Sequence, residues 1–285
     1  MRKKILLTSL ALTLALALLI APGAIGAKRP LPPQPKHPIV ADVYATPAAL
    51  RDFGGAAGVR ALAAVEFRGQ VNTALIGSGL YPDQGFRVEI AFHSGVVTDD
   101  LQSACDASTI WGRFFSDKKV AEIRRKTKRA MQVLIFSCPE VHHTIGWAMA
   151  ATQPGDFKNP AIGYLILMAG GLGAPDNAVG PHEAGHAIGA AMHQDCLTAE
   201  AIAPNGGRKP SPYGNSCGFV MAPMDGATVD CDVMAIHCNH GLFYSHPGKD
   251  EYGRDTGDEH HDVADSIKAN WDAFVALGAV PWKPR

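Results

Sequence analysis

Two histidines and a glutamate lie close together in the segment HEAGH, residues 182–186. Residues four apart lie on one face of a helix, so His182 and His186 can direct both imidazoles at one metal ion. Glu183 then lies beside the metal, where its carboxylate can take a proton from a bound water. This HExxH spacing is typical of zinc hydrolases, and it predicts a zinc site on a helix over residues 181–189.

A zinc ion that catalyses hydrolysis needs a third protein ligand and one open position. His193 is the next histidine along the chain. In an unbroken helix, the seven residues from His186 to His193 would span about 10 Å, which is too far for both to bind one ion. Gly189 lies between them and can adopt the left-handed conformation that ends helices. The sequence therefore predicts that the helix ends at Gly189 and that the chain turns back to bring His193 to the metal.

The residues of this site resemble those of the metzincin zinc endopeptidases, and within them the adamalysin or reprolysin-like branch. The shared pattern is HExxHxxG, then a third histidine, then a distal turn that contains a methionine, the Met-turn. The Met-turn candidate is Met221, in the segment CGFVMAP over residues 217–223. The resemblance covers about residues 56–277. It implies that Met221 lies beneath the zinc as an apolar floor and does not bind it.

The resemblance also implies an activity and a mechanism. The protein would be a secreted endopeptidase with one catalytic zinc ion, held by His182, His186 and His193. The zinc would lower the pKa of its water to about 7. Glu183 would take the proton as the water attacks the peptide carbonyl, and would then pass it to the leaving amine. The implied partner is a polypeptide substrate.

The substrate site implied by the resemblance is a cleft between an upper subdomain, about residues 40–190, and a smaller lower one, about residues 191–285. Metzincin substrates lie along the edge strand of the sheet as an added antiparallel strand. We expect that strand to be residues 161–169. The residues expected to contact substrate are Gly163, Tyr164 and Leu165 on this strand, and Pro223 in the pocket near the Met-turn.

One departure from the family pattern concerns the third ligand. Three residues separate Gly189 from His193, whereas the family has two. We interpret the extra residue as a bulge that leaves His193 as the ligand. Two alternatives stay open. Asp195 is an alternative oxygen ligand, and Glu200 would be the ligand if a later helix supplied it, as in thermolysin-like enzymes of a different fold.

A different class of function also stays open. The protein could be a catalytically weak zinc-binding surface or adhesion module on the same scaffold, and the extra residue before His193 is the feature that favours it. The presence of Glu183 favours the enzyme, because a purely structural zinc site has no use for that base.

The elements that must position these residues follow from the spacing of apolar residues. Apolar residues three and four apart predict helices, and alternating or continuous apolar runs predict strands. Helices are predicted over 56–78, over a basic stretch that ends near Arg129, over 181–189 and over 261–277. Strands are predicted over 86–92, 131–136, 145–149 and 162–168. This order predicts an α/β fold with a twisted mixed sheet, an active-site helix and a smaller irregular C-terminal subdomain.

Residues 1–27 have the pattern of a secretory signal peptide. Basic residues near the N-terminus precede an apolar run over 5–20, and small residues lead to Ala27. An uncleaved membrane anchor is the alternative, although the run is slightly short to span a bilayer. A proline-rich lead-in over 28–39 follows, and the catalytic domain is expected over 40–285. The chain is therefore predicted to be exported, with no membrane span after cleavage.

The charge of the chain does not favour nucleic acid as a partner. Without residues 1–27 the chain has 23 Lys and Arg against 27 Asp and Glu, a formal charge of −4. Such a mildly acidic, mixed surface is not typical of proteins that bind nucleic acid. The one basic cluster, over 118–129, falls on a predicted helix and is interpreted as a solvated helix face. Nothing in the sequence requires more than a monomer.

Six cysteines in an exported chain predict three disulfides. The expected pairs are Cys196 with Cys217, Cys231 with Cys238 and, by elimination, Cys105 with Cys138. The alternative is a second zinc site that uses Cys231, Cys238 and two neighbouring histidines. It is disfavoured because thiols that bind zinc compete with oxidation outside the cytoplasm.

Overall fold

A computed structural model gives the fold of most of the chain between Pro38 and Pro281. It describes residues 38–98, 105–138, 146–151, 154–169, 172, 178–190, 230–231, 234, 239–240, 242–250, 255–257 and 262–281. The predicted signal peptide, 1–27, lies outside these residues, as does most of the expected C-terminal subdomain, 191–285.

A five-stranded sheet lies at the centre of the described residues. Its strands are β1 (Ile39–Ala45), β2 (Val88–His93), β3 (Gln132–Phe136), β4 (Gly146–Ala148) and β5 (Tyr164–Met168). Their order across the sheet is β2-β1-β3-β5-β4. The first four in this order are parallel to one another, and β4 pairs antiparallel with β5. The sheet therefore ends in a short antiparallel edge strand.

Helices flank the sheet. They are α1 (Pro47–Asp52), α2 (Gly55–Ala63), α3 (Asn72–Gly77), α4 (Ala107–Phe115), α5 (Lys118–Thr127), α6 (Val179–Ile188) and α7 (Val263–Leu277). A π-helical segment, Ala64–Val71, joins α2 to α3, so residues 55–77 form one helical run. Short 3₁₀ helices are Pro82–Gln84, Pro154–Lys158 and Pro160–Gly163. A second, two-stranded sheet consists of β6 (Asp230–Cys231) and β7 (Asn239–His240). Within the described part of the chain, no helix is both long and apolar enough to cross a membrane.

The strands are buried because helices pack on both faces of the sheet. Every residue of β3 and of β5 is buried, as expected for parallel strands that are covered on both sides. On one face, Ala41 and Val43 of β1 belong to an apolar cluster with the π-helical segment, α6 and α7. On the other face, Tyr44 and Leu134 belong to a cluster with α4 and α5. The fold therefore has two apolar layers, one on each side of the sheet.

The predicted α/β class is confirmed, and most predicted elements occur within a few residues of their expected bounds. The helix expected over 56–78 is the run over 55–77, and the helix expected over 261–277 is α7. The sequence patterns do not predict β1, although it is an inner strand of the sheet. It directly follows the proline-rich lead-in and has Asp42 at its centre, so it lacks the continuous apolar run of β3 and β5. Because β1 begins at Ile39, the lead-in ends by Pro38.

A disulfide joins Cys105, which precedes α4, to Cys138, which follows β3. The two Cα atoms are 5.9 Å apart, within the usual range for a disulfide. This confirms one of the three predicted pairs. The other two pairs, Cys196 with Cys217 and Cys231 with Cys238, involve side chains outside the described part of the structure.

The basic cluster over 118–129 is only partly a solvated helix face. Arg124 is buried, and its guanidinium donates to the carbonyl oxygens of Leu277 at 2.7 Å and Val280 at 3.1 Å. These bonds satisfy carbonyl groups at the C-terminal end of α7, where a cation also suits the helix dipole. Burial lowers the pKa of Arg124. The prediction of a solvated face is therefore wrong for Arg124, which connects α5 to the end of α7.

A buried carboxylate lies at the centre of β1, on the side of the sheet that α4 and α5 cover. Oδ1 of Asp42 accepts hydrogen bonds from Nε2 of His93 at 2.8 Å and from Nη1 of Arg129 at 2.7 Å. Oδ2 accepts from Oγ1 of Thr127 at 2.9 Å and from Nε2 of Gln132 at 3.3 Å. Asp42 is fully buried, so these donors replace the water that the carboxylate loses on folding.

We predict that Asp42→Asn lowers the free energy of unfolding by about 2 to 3 kcal/mol. The amide group places hydrogens where donors now point, and it removes the charge that pairs with Arg129. Urea unfolding followed by circular dichroism measures the change. Glu122→Gln is the matched control, because the pair of Glu122 with Lys126 is exposed and contributes little. An unchanged unfolding midpoint in Asp42→Asn would contradict the role assigned to this carboxylate.

Candidate functional site

Helix α6 ends where the sequence predicts, at Gly189. This residue has a φ of 124°, a conformation that favours glycine. The N–H of Ala190 donates to the carbonyl oxygen of Gly185 at 2.8 Å, which is the six-to-one hydrogen bond of a Schellman motif. A side chain on Gly189 would also overlap the amide of Asn270 on α7. The backbone conformation and the packing both require glycine at this position.

The two histidines of α6 bring their ring nitrogens together across one turn of the helix. Nε2 of His182 lies 3.1 Å from Nε2 of His186, and both side chains are partly exposed. His186 donates from Nδ1 to the carbonyl oxygen of Ala190 at 3.0 Å. With its proton on Nδ1, His186 presents the lone pair of Nε2 toward His182. The turn that ends the helix therefore also fixes the orientation and the tautomer of His186.

These two imidazoles fit a zinc site. A Zn–N bond is about 2.0–2.1 Å long, so one ion can bond to two Nε2 atoms that are 3.1 Å apart. A histidine that binds a metal commonly donates its other ring N–H to a backbone carbonyl, as His186 does to Ala190. Among the described residues, no group of three His, Cys, Asp or Glu side chains is placed to hold a metal. A third protein ligand would therefore come from another part of the chain.

Glu183 is buried beside the histidines and against the edge strand. A Cβ added to Gly146 of β4 would lie 2.6 Å from Oε1 of Glu183. Burial raises the pKa of Glu183 to about 8, because the carboxylate loses contact with water there. After β4, the N–H of Ala151 donates to the carbonyl oxygen of His186 at 3.0 Å. The edge strand and the segment after it therefore run alongside α6, from Glu183 to His186.

Two buried side chains from the C-terminal part of the chain pack against α6. The hydroxyl of Tyr244 donates to the carbonyl oxygen of Pro181 at 2.9 Å. Met234 packs against Gly185, where a side chain would overlap its Sδ. A Cβ on Gly185 would also lie 3.0 Å from the ring of Tyr244. Gly185 therefore allows α6 to lie directly on a sulfur atom and an aromatic ring.

The structure brings His182, Glu183 and His186 together, as the HExxH spacing predicts. The other ligand and pocket candidates lie outside the described residues: His193, Asp195, Glu200, Met221 and Pro223. For these residues the sequence remains the basis of any assignment.

Met234 lies beneath the helix, and the sequence patterns did not single it out. It is fully buried against Gly185, on the helix that carries the two histidines, so it is a second candidate for the methionine of a Met-turn. Met221 stays a prediction for the same role. Met-Ala occurs at 149–150, 168–169, 221–222 and 234–235, and only in the last two does a cysteine lie three or four residues before the methionine. That preceding cysteine is the sequence signal that would have identified Met234 as a rival.

The predicted edge strand is wrong. Residues 161–169 contain β5, which pairs with β3 on one side and with β4 on the other. Both backbone edges of β5 are used, so it cannot accept a substrate strand. Tyr164 and Leu165 are buried, and Gly163 lies against the carbonyl oxygen of Ala130. The substrate contacts predicted for these three residues through the edge of the sheet are therefore not available. Among the described strands, the one at this edge of the sheet is β4.

No protein-family model matches the chain, and no curated protein matches its sequence. A solved structure of a chaperone-substrate complex is similar to it, with a TM-score of 0.60 and 17% sequence identity. The similarity covers 85% of this chain and 35% of that one, so the present chain spans about a third of the matched chain. At this identity the likeness shows a shared fold alone.

We predict that Gly146→Ala displaces the Glu183 carboxyl group while β4 keeps its pairing. The added methyl would overlap Oε1 and Cγ of Glu183 and Cγ1 of Val179, all within 2.8 Å. A shift of about 1 Å in a catalytic group can cost a hundredfold in rate, so the hydrolytic activity expected from the sequence should fall at least about tenfold.

A crystal structure of the variant measures the displacement, and cleavage of an unfolded protein measures the activity. Gly112→Ala in α4 is the control, since an added Cβ meets nothing within 4 Å there. Full activity and an unmoved carboxyl group in Gly146→Ala would contradict the placement of Glu183 against β4.

Proposed function

We propose that this protein is a secreted zinc-dependent endopeptidase of the metzincin type. The observation that carries the proposal is the pair His182 and His186, whose Nε2 atoms lie 3.1 Å apart on one helix, with the buried Glu183 next to them. A purely structural metal site has no need of a buried carboxyl group at that point. The α/β sheet, with its edge strand beside Glu183, supports the same proposal.

The side chains of α6 would divide the chemistry between them. His182 and His186 would hold the metal through Nε2, with the proton of His186 kept on Nδ1 by Ala190. When bound, zinc would supply an acidified water and a positive charge that stabilises the developing oxyanion. Glu183 would take the proton of the attacking water and deliver it to the leaving amine. Burial makes the ionised carboxylate a stronger base than an exposed one, and the positive charge of a bound zinc would favour that ionised form.

The substrate would lie along β4. An extended peptide can add to the outer edge of a strand, where main-chain hydrogen bonds provide affinity. Gly146 faces Glu183, so a peptide on this edge would pass its carbonyl groups near that carboxyl group. Trp147 is the next residue and belongs to the apolar layer on the opposite face, where its ring lies 4.8 Å from that of Trp111. Substrate side chains on that face would meet an aromatic surface.

The third zinc ligand is proposed to be His193. An unbroken helix would hold His193 about 10 Å from His186. Because α6 ends at Ile188, this constraint does not apply to His193. Asp195 and Glu200 are the alternatives, in that order.

Export is proposed from the signal-like pattern of residues 1–27 and from the disulfide between Cys105 and Cys138. Disulfides persist mainly in oxidising compartments outside the cytoplasm. The proposed form is a monomer that acts on polypeptides there.

We expect Glu183→Gln to bind one zinc ion per chain and to lose at least about a hundredfold in the rate of peptide-bond cleavage. The amide keeps the shape of the side chain but cannot accept the proton. His182→Ala should lose both zinc and cleavage, because one of the imidazole ligands is gone. Zinc content of the dialysed protein and cleavage of an unfolded protein substrate, with and without a chelator, measure these effects.

Glu122→Gln is the control, since Glu122 is an exposed carboxylate on α5 and should change neither property. Full cleavage by Glu183→Gln would contradict the endopeptidase mechanism. Zinc binding without cleavage in the wild-type protein would favour the zinc-binding surface module instead.

A further inference from the structure

The first turn of α6 cannot satisfy its own N–H groups. Ala178 precedes the helix with a φ of 40° and makes no side-chain cap. Pro181 has no N–H, and the N–H of His182 already donates to the carbonyl oxygen of Ala178 at 2.9 Å. The N–H groups of Val179 and Gly180 therefore need acceptors from outside the helix. A poorly capped first turn frays easily, and this turn leads directly into His182.

Glu66 provides such an acceptor from a distant part of the chain. Its Oε2 accepts a hydrogen bond from the N–H of Gly180 at 3.0 Å, across 114 residues of sequence. Glu66 is almost fully buried, and a carboxylate suits the positive end of the helix dipole. A Cβ on Gly180 would lie 2.8 Å from Oε2 of Glu66 and 3.0 Å from its Cβ. The glycine therefore makes room for the carboxylate.

The π-helical segment explains how Glu66 reaches α6. It lies within the helical run over 55–77 and buries Glu66 beside Phe67. The segment packs against α6, so its acidic side chain lies at the contact between the two helices. Short π-helical insertions in α-helices occur frequently at functional sites. The π-helical segment thus places one carboxylate at the start of the helix that carries the histidines.

We propose that Glu66 is a positioning residue of the zinc site, which acts by holding the first turn of α6. His182 follows Gly180 by two residues, so a turn that is fixed at Gly180 keeps Nε2 of His182 within reach of Nε2 of His186. Glu66 acts through the helix and does not need to touch the metal or the substrate. The inference rests on the proposed zinc function, but the capping itself can be measured without zinc.

The first arm of the test uses the metal-free protein and amide hydrogen exchange. Glu66→Ala removes the acceptor, whereas Glu66→Gln keeps a carbonyl oxygen for Gly180. We expect exchange in residues 179–183 to rise about tenfold in Glu66→Ala and much less in Glu66→Gln. Gly180→Ala is a second disrupting variant, because its methyl would push the carboxylate away. Asp42→Asn is the matched control, since Asp42 is a buried carboxylate on the opposite face of the sheet.

The second arm measures zinc affinity by competition with a chromophoric chelator, at a temperature where all variants are folded. We expect roughly tenfold weaker binding in Glu66→Ala and in Gly180→Ala. Glu66→Gln should stay within about twofold of wild type, because a conservative acceptor rescues the cap. Asp42→Asn should do so as well, because lower global stability by itself does not move the histidines.

The outcomes separate positioning from stability and from the zinc function. Wild-type zinc affinity in Glu66→Ala would overturn the proposal, and so would an equal loss of affinity in Asp42→Asn. If the wild-type protein binds no zinc, the proposed function fails, and hydrogen exchange alone then tests whether Glu66 caps α6. In that case a selective rise over 179–183 supports the capping role, and unchanged exchange overturns it. If Glu66→Ala does not fold, Gly180→Ala and Glu66→Gln decide by the same criteria.

Discussion

The hydrogen bond from Nδ1 of His186 to the carbonyl oxygen of Ala190, 3.0 Å long, joins the backbone of α6 to the chemistry of the site. It exists because the chain reverses at Gly189 and returns the Ala190 carbonyl to the side of the helix. The same bond leaves Nε2 of His186 as an acceptor that faces Nε2 of His182. A helix that continued past Gly189 would lose this carbonyl and would carry the chain further from His182 and His186. One glycine therefore determines both the end of the helix and the tautomer of His186.

Helix α6 is a poor helix by intrinsic propensity, and this follows from its role. Its ten residues include two glycines and a proline, each less favourable in a helix than alanine. An isolated helix of this length is marginal in water. Its stability therefore depends on neighbours: the Glu66 carboxylate at its start, and Tyr244 and Met234 below it. The glycines let these groups approach the helix. The same residues therefore lower the helix propensity of α6 and allow its neighbours to stabilise it.

Sequence patterns predicted the arrangement of residues on α6 more accurately than they predicted the order of strands in the sheet, because the former depends on residues that are close together in sequence. The HExxH spacing and Gly189 specify a helix face and a helix end, which depend on residues a few positions apart. The edge strand was misplaced because a continuous apolar run such as β5 indicates burial, but not which strand lies beside it. β1 was missed because Asp42 interrupts its apolar pattern, although partners from three other segments satisfy that carboxylate.

Contacts between distant residues lay beyond the sequence patterns for the same reason. In the sequence, Glu66 is one acidic residue of an amphipathic helix. Only the fold shows that it contacts Gly180, 114 residues away. The role of Met234 likewise becomes visible only through its contact with Gly185.

The measurement that tests the central claim most directly is a zinc K-edge X-ray absorption spectrum of the purified protein. The account predicts one zinc per chain with nitrogen or oxygen ligands at about 2.0–2.1 Å and the scattering pattern of three imidazoles. No stoichiometric zinc, or zinc bound to sulfur at about 2.3 Å, would contradict it.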